Sequence, residues 1–164
     1  MIVILMGVSG AGKTTVGEVL ARRTGWALYD ADDFHSPENI ARMRSGVPLT
    51  DEDRWPWLDR LNGVLRDTER KGASAILACS ALKLRYRDRL AQGLADVRFV
   101  HLRGSFELIK QRIDARKGHY MTGQLLQSQF AALEAPEDAL TIDVAGTPEE
   151  LADQVWRGLQ ATDR

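Results

Sequence analysis

Five short apolar-rich runs punctuate the chain: Ile2 to Met6, Ala27 to Tyr29, Ala75 to Cys79, Val97 to Leu102 and Leu140 to Val144. Runs this short predict strands covered on both faces, as in a parallel sheet. Between them, apolar positions recur at helical spacing. Val16, Val19 and Leu20 share one face of a segment that begins near Lys13, and Leu58, Leu61 and Leu65 repeat after the helix-start signature Thr50-Asp51-Glu52-Asp53. Ser36-Pro37-Glu38-Asn39 is a second such start. Leu151, Val155 and Leu159 form the last stripe. It opens on Thr147-Pro148-Glu149-Glu150, which offers an N-cap, a proline at the first helical position and a glutamate placed for a capping box. Strands alternating with helices predict a single three-layer α/β/α domain over residues 1–164. Right-handed crossovers then put the ligand site at the carboxyl ends of the strands.

Charge narrows the partners. Lys and Arg total 22 and Asp and Glu 23, a net charge of −1, without the basic excess of a nucleic-acid or anionic-membrane binder. The apolar runs are far shorter than the roughly 20 residues that span a bilayer. Met1-Ile2-Val3-Ile4-Leu5-Met6 carries no basic leader, so a cytoplasmic domain without a signal peptide is expected. The single cysteine, Cys79, excludes an intrachain disulfide and reads as a small buried residue ending its strand.

The first strand runs into Gly7-Val8-Ser9-Gly10-Ala11-Gly12-Lys13-Thr14, a match to G-x-x-x-x-G-K-[ST] placed between a strand and a helix, where a phosphate cradle has to be. Glycines let the backbone approach an anion closely, and consecutive amides with the helix N-terminus present partial positive charge to it. Lys13 is expected to reach the β and γ phosphates, Thr14 to bind Mg²⁺ through its hydroxyl, and Thr15 to lie beside it. No N-K-x-D or L-S-G-G-Q segment exists, which disfavours a GTPase and a transporter ATPase. The third strand leads into Ser80 instead of the usual Walker B acid, so metal support is sought after the second strand. There Asp30, Asp32 and Asp33 follow Tyr29. In extended chain Asp30 and Asp32 share a face and Asp33 points away. One of the two can hold Mg²⁺ and the other can take a proton from an attacking hydroxyl.

Lys83 and Arg87 are four apart with no acid at helical spacing, and Arg112 and Arg116 repeat the arrangement; Arg85, by contrast, has Asp88, and Lys110 has Asp114. Unpaired basic pairs favour anionic ligands. Residues 116 to 124, polar with two glycines, read as a lid between two helices.

The chain resembles the gluconate kinases, within the shikimate-kinase-like and nucleoside-monophosphate-kinase-like group. The resemblance rests on Asp30-Ala31-Asp32-Asp33-Phe34-His35 through Asn39-Ile40, and on Ser45 to Leu58 with Trp55-Pro56-Trp57. Further support comes from Cys79-Ser80-Ala81-Leu82-Lys83 with Tyr86-Arg87-Asp88, and from Arg116-Lys117-Gly118-His119 with Ser128-Gln129-Phe130 and Leu133-Glu134-Ala135-Pro136. It departs from the family pattern at Thr122-Gly123, where a proline often follows the lid methionine. The resemblance implies a P-loop fold with a five-stranded parallel sheet, a helical substrate-binding region over about 33–72 and a short lid. It implies phosphorylation of D-gluconate at its 6-hydroxyl with ATP and Mg²⁺, and a homodimer. Asp32 is then the base, Asp30 lies near Mg²⁺, and His35, Arg54, Ser80, Lys83 and Arg87 line the gluconate pocket. Arg112 lies by the adenine, with Gly146 and Pro148 at its border, and Arg116 by the phosphates. Shikimate, a nucleoside monophosphate or another sugar acid are the alternative acceptors, and a nucleotide-binding module without catalysis is the alternative class.

Overall fold

The computed structural model describes residues 1–116 and 122–163. The five apolar runs are five strands: β1 (Ile2–Met6), β2 (Ala27–Asp30), β3 (Ala75–Ala78), β4 (Val97–Arg103) and β5 (Leu140–Asp143). All pair in parallel, in the order β2-β3-β1-β4-β5. β1 sits at the centre, with Ile4 opposite Leu77 on one side and Phe99 on the other. Its alternation separates two cores. Val3 and Leu5 point to one face, with Val16, Leu20, Val100, Leu151 and Val155. Ile2, Ile4 and Met6 point to the other, with Leu58, Leu61, Leu65, Leu77 and Leu90. Every β1 residue is therefore buried, as a strand sandwiched between helical layers requires.

The helices are α1 (Lys13–Thr24), α2 (Pro37–Arg44), α3 (Asp51–Arg70), α4 (Leu84–Ala91), α5 (Phe106–Asp114), α6 (Gly123–Ala132) and α7 (Pro148–Ala161), with a one-turn 3-10 helix at Ala31–Phe34. The predicted starts are real caps. Thr50 and Thr147 each accept from the third residue on, while Asp53 and Glu150 reach back to the cap amides. Ser36 accepts from the Asn39 amide. Two of the expected helical faces are corrected. Lys83 is the N-cap of α4 and stands outside it, and α5 ends at Asp114, so Arg116 lies past the helix and shares no helical face with Arg112. In both cases the like-charged partner sits where the helix has not begun or has already ended.

The chain's connections bring the phosphate loop, the ends of β2 and β3 and the loop before α7 to the carboxyl edge of the sheet. Of the expected lid, residues 117–121 lie outside the described residues.

Candidate active site

The loop after β1 is shaped by contacts that only certain residues permit. Gly7 has φ +147°, and a Cβ there would stand 2.7 Å from the Leu102 carbonyl oxygen. Its amide donates to the Ser80 carbonyl at 3.2 Å, which ties the loop to the end of β3. Gly12, at φ +93°, is the N-cap of α1 and offers no side chain to the first turn. The first amides of α1 thus keep their hydrogen-bonding capacity for an anion. Val8 and Ala11 are buried, so they meet a ligand through main chain alone. Gly10 and Ser9 form the loop's tip, and Thr14 and Thr15 are exposed in the first turn of α1. Lys13 folds back, its ammonium donating to the Gly7 carbonyl at 2.9 Å and the Val8 carbonyl at 3.0 Å. The residue keeps some solvent contact, yet protein atoms crowd the ammonium. That burial holds it below its ordinary value, against the pull of Asp32 and Asp30.

The acids reach this loop by a different geometry from the extended chain expected. Asp30 is the last residue of β2, and the backbone then coils into the 3-10 turn. The Asp30 carboxylate caps that turn, accepting from the Asp32 amide at 3.0 Å. Its second oxygen accepts from the Thr14 hydroxyl at 3.3 Å. Asp32 is solvent-accessible in the open cleft, but the protein around its carboxyl and the neighbouring Asp30 charge push it above the usual carboxylate range, with Lys13 opposing. A carboxyl so placed is a proton acceptor matched to near-neutral conditions better than an ordinary aspartate. The pair Thr14 and Asp30 offers one hydroxyl and one carboxylate side by side. No group of three or more His, Cys, Asp and Glu side chains gathers for a metal among the described residues. One hydroxyl and one carboxylate match the one or two protein ligands that Mg²⁺ takes beside its waters and substrate phosphates.

The wall opposite comes from α2, α3 and α4. His35 is 8% exposed and stacks on Trp57, ring centroids 4.1 Å apart. Trp57 in turn donates to the Ala31 carbonyl at 2.7 Å. The His35 Nδ1 has no partner. Burial, with Arg54 and Arg60 nearby, lowers the imidazole's affinity for a proton, so a neutral ring is presented. Arg54 lies over the Tyr86 ring at 5.2 Å and 3.6 Å from Asp51. The centre of this cluster is Asp51, which the sequence marks only as part of the helix-start signature. It also accepts from the Tyr86 hydroxyl at 2.6 Å and pairs with Arg85 at 2.6 Å. Arg85 therefore bridges to α3, not to Asp88 as its spacing suggested, while Lys110 does pair with Asp114. A partner more than 30 residues away leaves no local spacing to read.

Ser80 and Lys83 are both half-buried at the exit of β3. Between them Ala81 sits at φ 45°, a left-handed conformation unusual for alanine. Arg87 explains how that bend is held. It is 5% exposed, and its guanidinium donates to the Ala81 and Glu134 carbonyls, both at 2.8 Å. Arg87 thus braces the wall of the cleft through two of its five N–H donors. Arg87→Met should leave the buried Ala81 carbonyl without its donor, remove the bond to the Glu134 carbonyl and destabilise the fold by about 1–3 kcal/mol, read as a lower Tm. A raised substrate KM at unchanged Tm would contradict this assignment.

The remaining candidates are peripheral to this cluster. Arg112 is half-buried on α5, and Arg116 is exposed just beyond it. Gly146 and Pro148 flank Thr147 at the start of α7, where a Cβ on Gly146 would come within 2.6 Å of the Glu150 carboxylate. Gln129, not singled out as a site residue, reaches the phosphate loop from α6: its Oε1 accepts from the Ser9 amide at 2.7 Å and its Nε2 donates to the Ser9 hydroxyl at 3.1 Å.

Comparison with known proteins follows the same lines. A family described as an AAA domain matches residues 2–136. A Rattus norvegicus protein named "Probable gluconokinase" is 47% identical, over 97% of each chain. A crystal structure of a sugar kinase from a Janibacter species is 49% identical with a TM-score of 0.89, covering 97% of this chain and 94% of that one. A crystal structure of a gluconokinase from Sinorhizobium meliloti is 38% identical with a TM-score of 0.89, covering 98% and 91%.

Proposed function

The chain belongs to the gluconokinase family of P-loop kinases, and from that premise we propose how its residues bring about the ATP-dependent phosphorylation of gluconate. It is a phosphotransferase, moving the terminal phosphoryl group of ATP to an alcohol of gluconate. The observation that carries the residue-level reading is the meeting of Lys13, Thr14, Asp30 and Asp32 at one edge of the sheet.

In this reading the loop from Gly7 to Thr15 wraps the phosphates, which meet its unspent amides and the start of α1, and Lys13 turns from the Gly7 and Val8 carbonyls toward them. Arg112, Gly146 and Pro148 border the adenine. His35, Arg54, Ser80 and Lys83 line the acceptor pocket, where cations suit the gluconate carboxylate and polar groups suit its hydroxyls. Asp32 takes the proton of the 6-hydroxyl as that oxygen bonds to the γ-phosphorus. The bond from the γ-phosphorus to the β–γ bridging oxygen breaks, releasing ADP and 6-phosphogluconate. Lys13 and Arg116 face the negative charge that shifts onto the phosphate oxygens, in a reaction dominated by positioning and electrostatics. Mg²⁺, held by Thr14 and Asp30, would neutralise the β and γ oxygens. A cytoplasmic homodimer built from one such domain belongs to the same proposal and rests on the family resemblance.

ADP release should be measured with ATP and Mg²⁺ over a panel of sugar acids, shikimate and nucleoside monophosphates. Gluconate is expected to stimulate it far above every other acceptor. Stimulation by shikimate or a nucleoside monophosphate with none by gluconate would overturn the acceptor assignment, and ATP binding without turnover on any acceptor would overturn the enzymatic reading.

A further inference from the structure

The phosphate loop is braced from two directions. From within, the Ala11 amide donates to the Val8 carbonyl at 3.2 Å, and Lys13 ties down the carbonyls of Gly7 and Val8. From outside, α5 and α6 close on the tip. Ile109 and Ile113 approach Gly10 so closely that a Cβ there would lie 2.7 Å from Ile113. Gln129 meets Ser9 at both its amide and its hydroxyl, across 120 residues of sequence. α6 is itself anchored beside α5 by the edge-on pair Phe106 and Phe130.

These braces do not have equal lifetimes in a catalytic cycle. Lys13 is needed at the phosphates, and when its ammonium leaves the Gly7 and Val8 carbonyls the loop loses two restraints at the moment it must be most rigid. The Gln129 pair does not involve Lys13 and can persist. It is also specific to an amide. The Ser9 N–H can only donate, so Oε1 must face it, which aims Nε2 at the Ser9 oxygen. Spending the Ser9 amide on Gln129 also removes it from the anion cradle in this structure, and with the Ala11 amide turned to Val8, the Gly10 and Gly12 amides and the first turn of α1 are left for phosphate. We infer that Gln129 is a positioning residue for nucleotide phosphate binding, holding Ser9 and the tip of the loop in place once Lys13 has turned to the phosphates.

This rests on the kinase reading for its place in the reaction, but its test does not require gluconate. ADP and adenosine binding should be compared by calorimetry in the parent protein and in Gln129→Met, which keeps side-chain length and loses both bonds. The expected result is roughly tenfold weaker ADP binding, adenosine binding within twofold, and Tm within about 2 °C. Unchanged ADP binding would overturn the proposal. So would equal weakening of both ligands or a large fall in Tm, each marking a merely structural contact. If Gln129→Met does not fold, Ser9→Ala and Gln129→Glu carry the test. Ser9→Ala keeps the amide bond and should weaken ADP by threefold or less. Gln129→Glu loses the donor and sets a carboxylate beside the loop, and should weaken ADP by more than tenfold. ADP binding at parent strength in Gln129→Glu would overturn the proposal. Failure of gluconate to be phosphorylated by the parent protein would overturn the function above and leave these binding results standing.

Discussion

Asp32→Asn should lower kcat by about 10²–10⁴-fold, the range associated with losing a positioned general base, while the KM for ATP stays within a few-fold. The asparagine keeps the shape of the side chain and loses its capacity to take the acceptor's proton. A loss confined to kcat places Asp32 on the acceptor side of the reaction; an equal loss of ATP binding would assign it to the metal instead. The raised carboxyl fixes the sign of the pH dependence. The base works ionised, so kcat should fall as pH drops through the Asp32 pKa, and this acid limb should sit above the position of an ordinary aspartate. The same shift separates catalysis from stability. A carboxyl that holds its proton more tightly in the folded protein than in the unfolded chain loses stabilisation as pH rises through that window. Removing its charge should therefore leave Tm at pH 7 unchanged or slightly higher. A marked fall in Tm for Asp32→Asn would mean that the carboxylate supports the fold.

What the sequence disclosed and what it hid divide along physical lines. Short apolar runs disclosed β1 and β3 because both are covered on their two faces, and the edge strands β2 and β5 by their apolar residues although they are only partly covered; Thr50, Thr147 and Ser36 disclosed helix starts because capping is a contact between residues three apart. The phosphate loop was legible for the same reason: its chemistry lies in consecutive amides. The acids were found by a wrong route. Asp30 and Asp32 do lie beside the loop, but through a 3-10 turn that Asp30 itself caps, not through strand alternation. Contacts made across the fold were not legible. Arg87 looked like a free cation because its partners are carbonyls, which every residue has and no pattern marks. Asp51 joins α3 to α4 through Tyr86 and Arg85, and Gln129 reaches Ser9 over 120 residues; neither leaves a spacing to detect.

Lys13→Met should remove about 10²–10³-fold of kcat, the scale of deleting one donor aimed at developing charge, and should also weaken ATP. The structure gives Lys13 two bonds to loop carbonyls and a crowded ammonium whose burial disfavours the charge. Methionine relieves that desolvation while giving up the two bonds to the carbonyls of the buried residues Gly7 and Val8. These contributions oppose each other, so a Tm within a few degrees of the parent is expected despite the large loss of activity. Lys13→Arg should rescue little. The ammonium fits between two carbonyls and can swing to a phosphate as a compact point charge, whereas the planar guanidinium is larger and fixed in its fork. Turnover near the parent level in Lys13→Met, with ATP binding intact, would remove the residue from the phosphate site. Inactivity accompanied by a collapse of Tm would assign the two carbonyl bonds a structural weight greater than the relieved desolvation offsets.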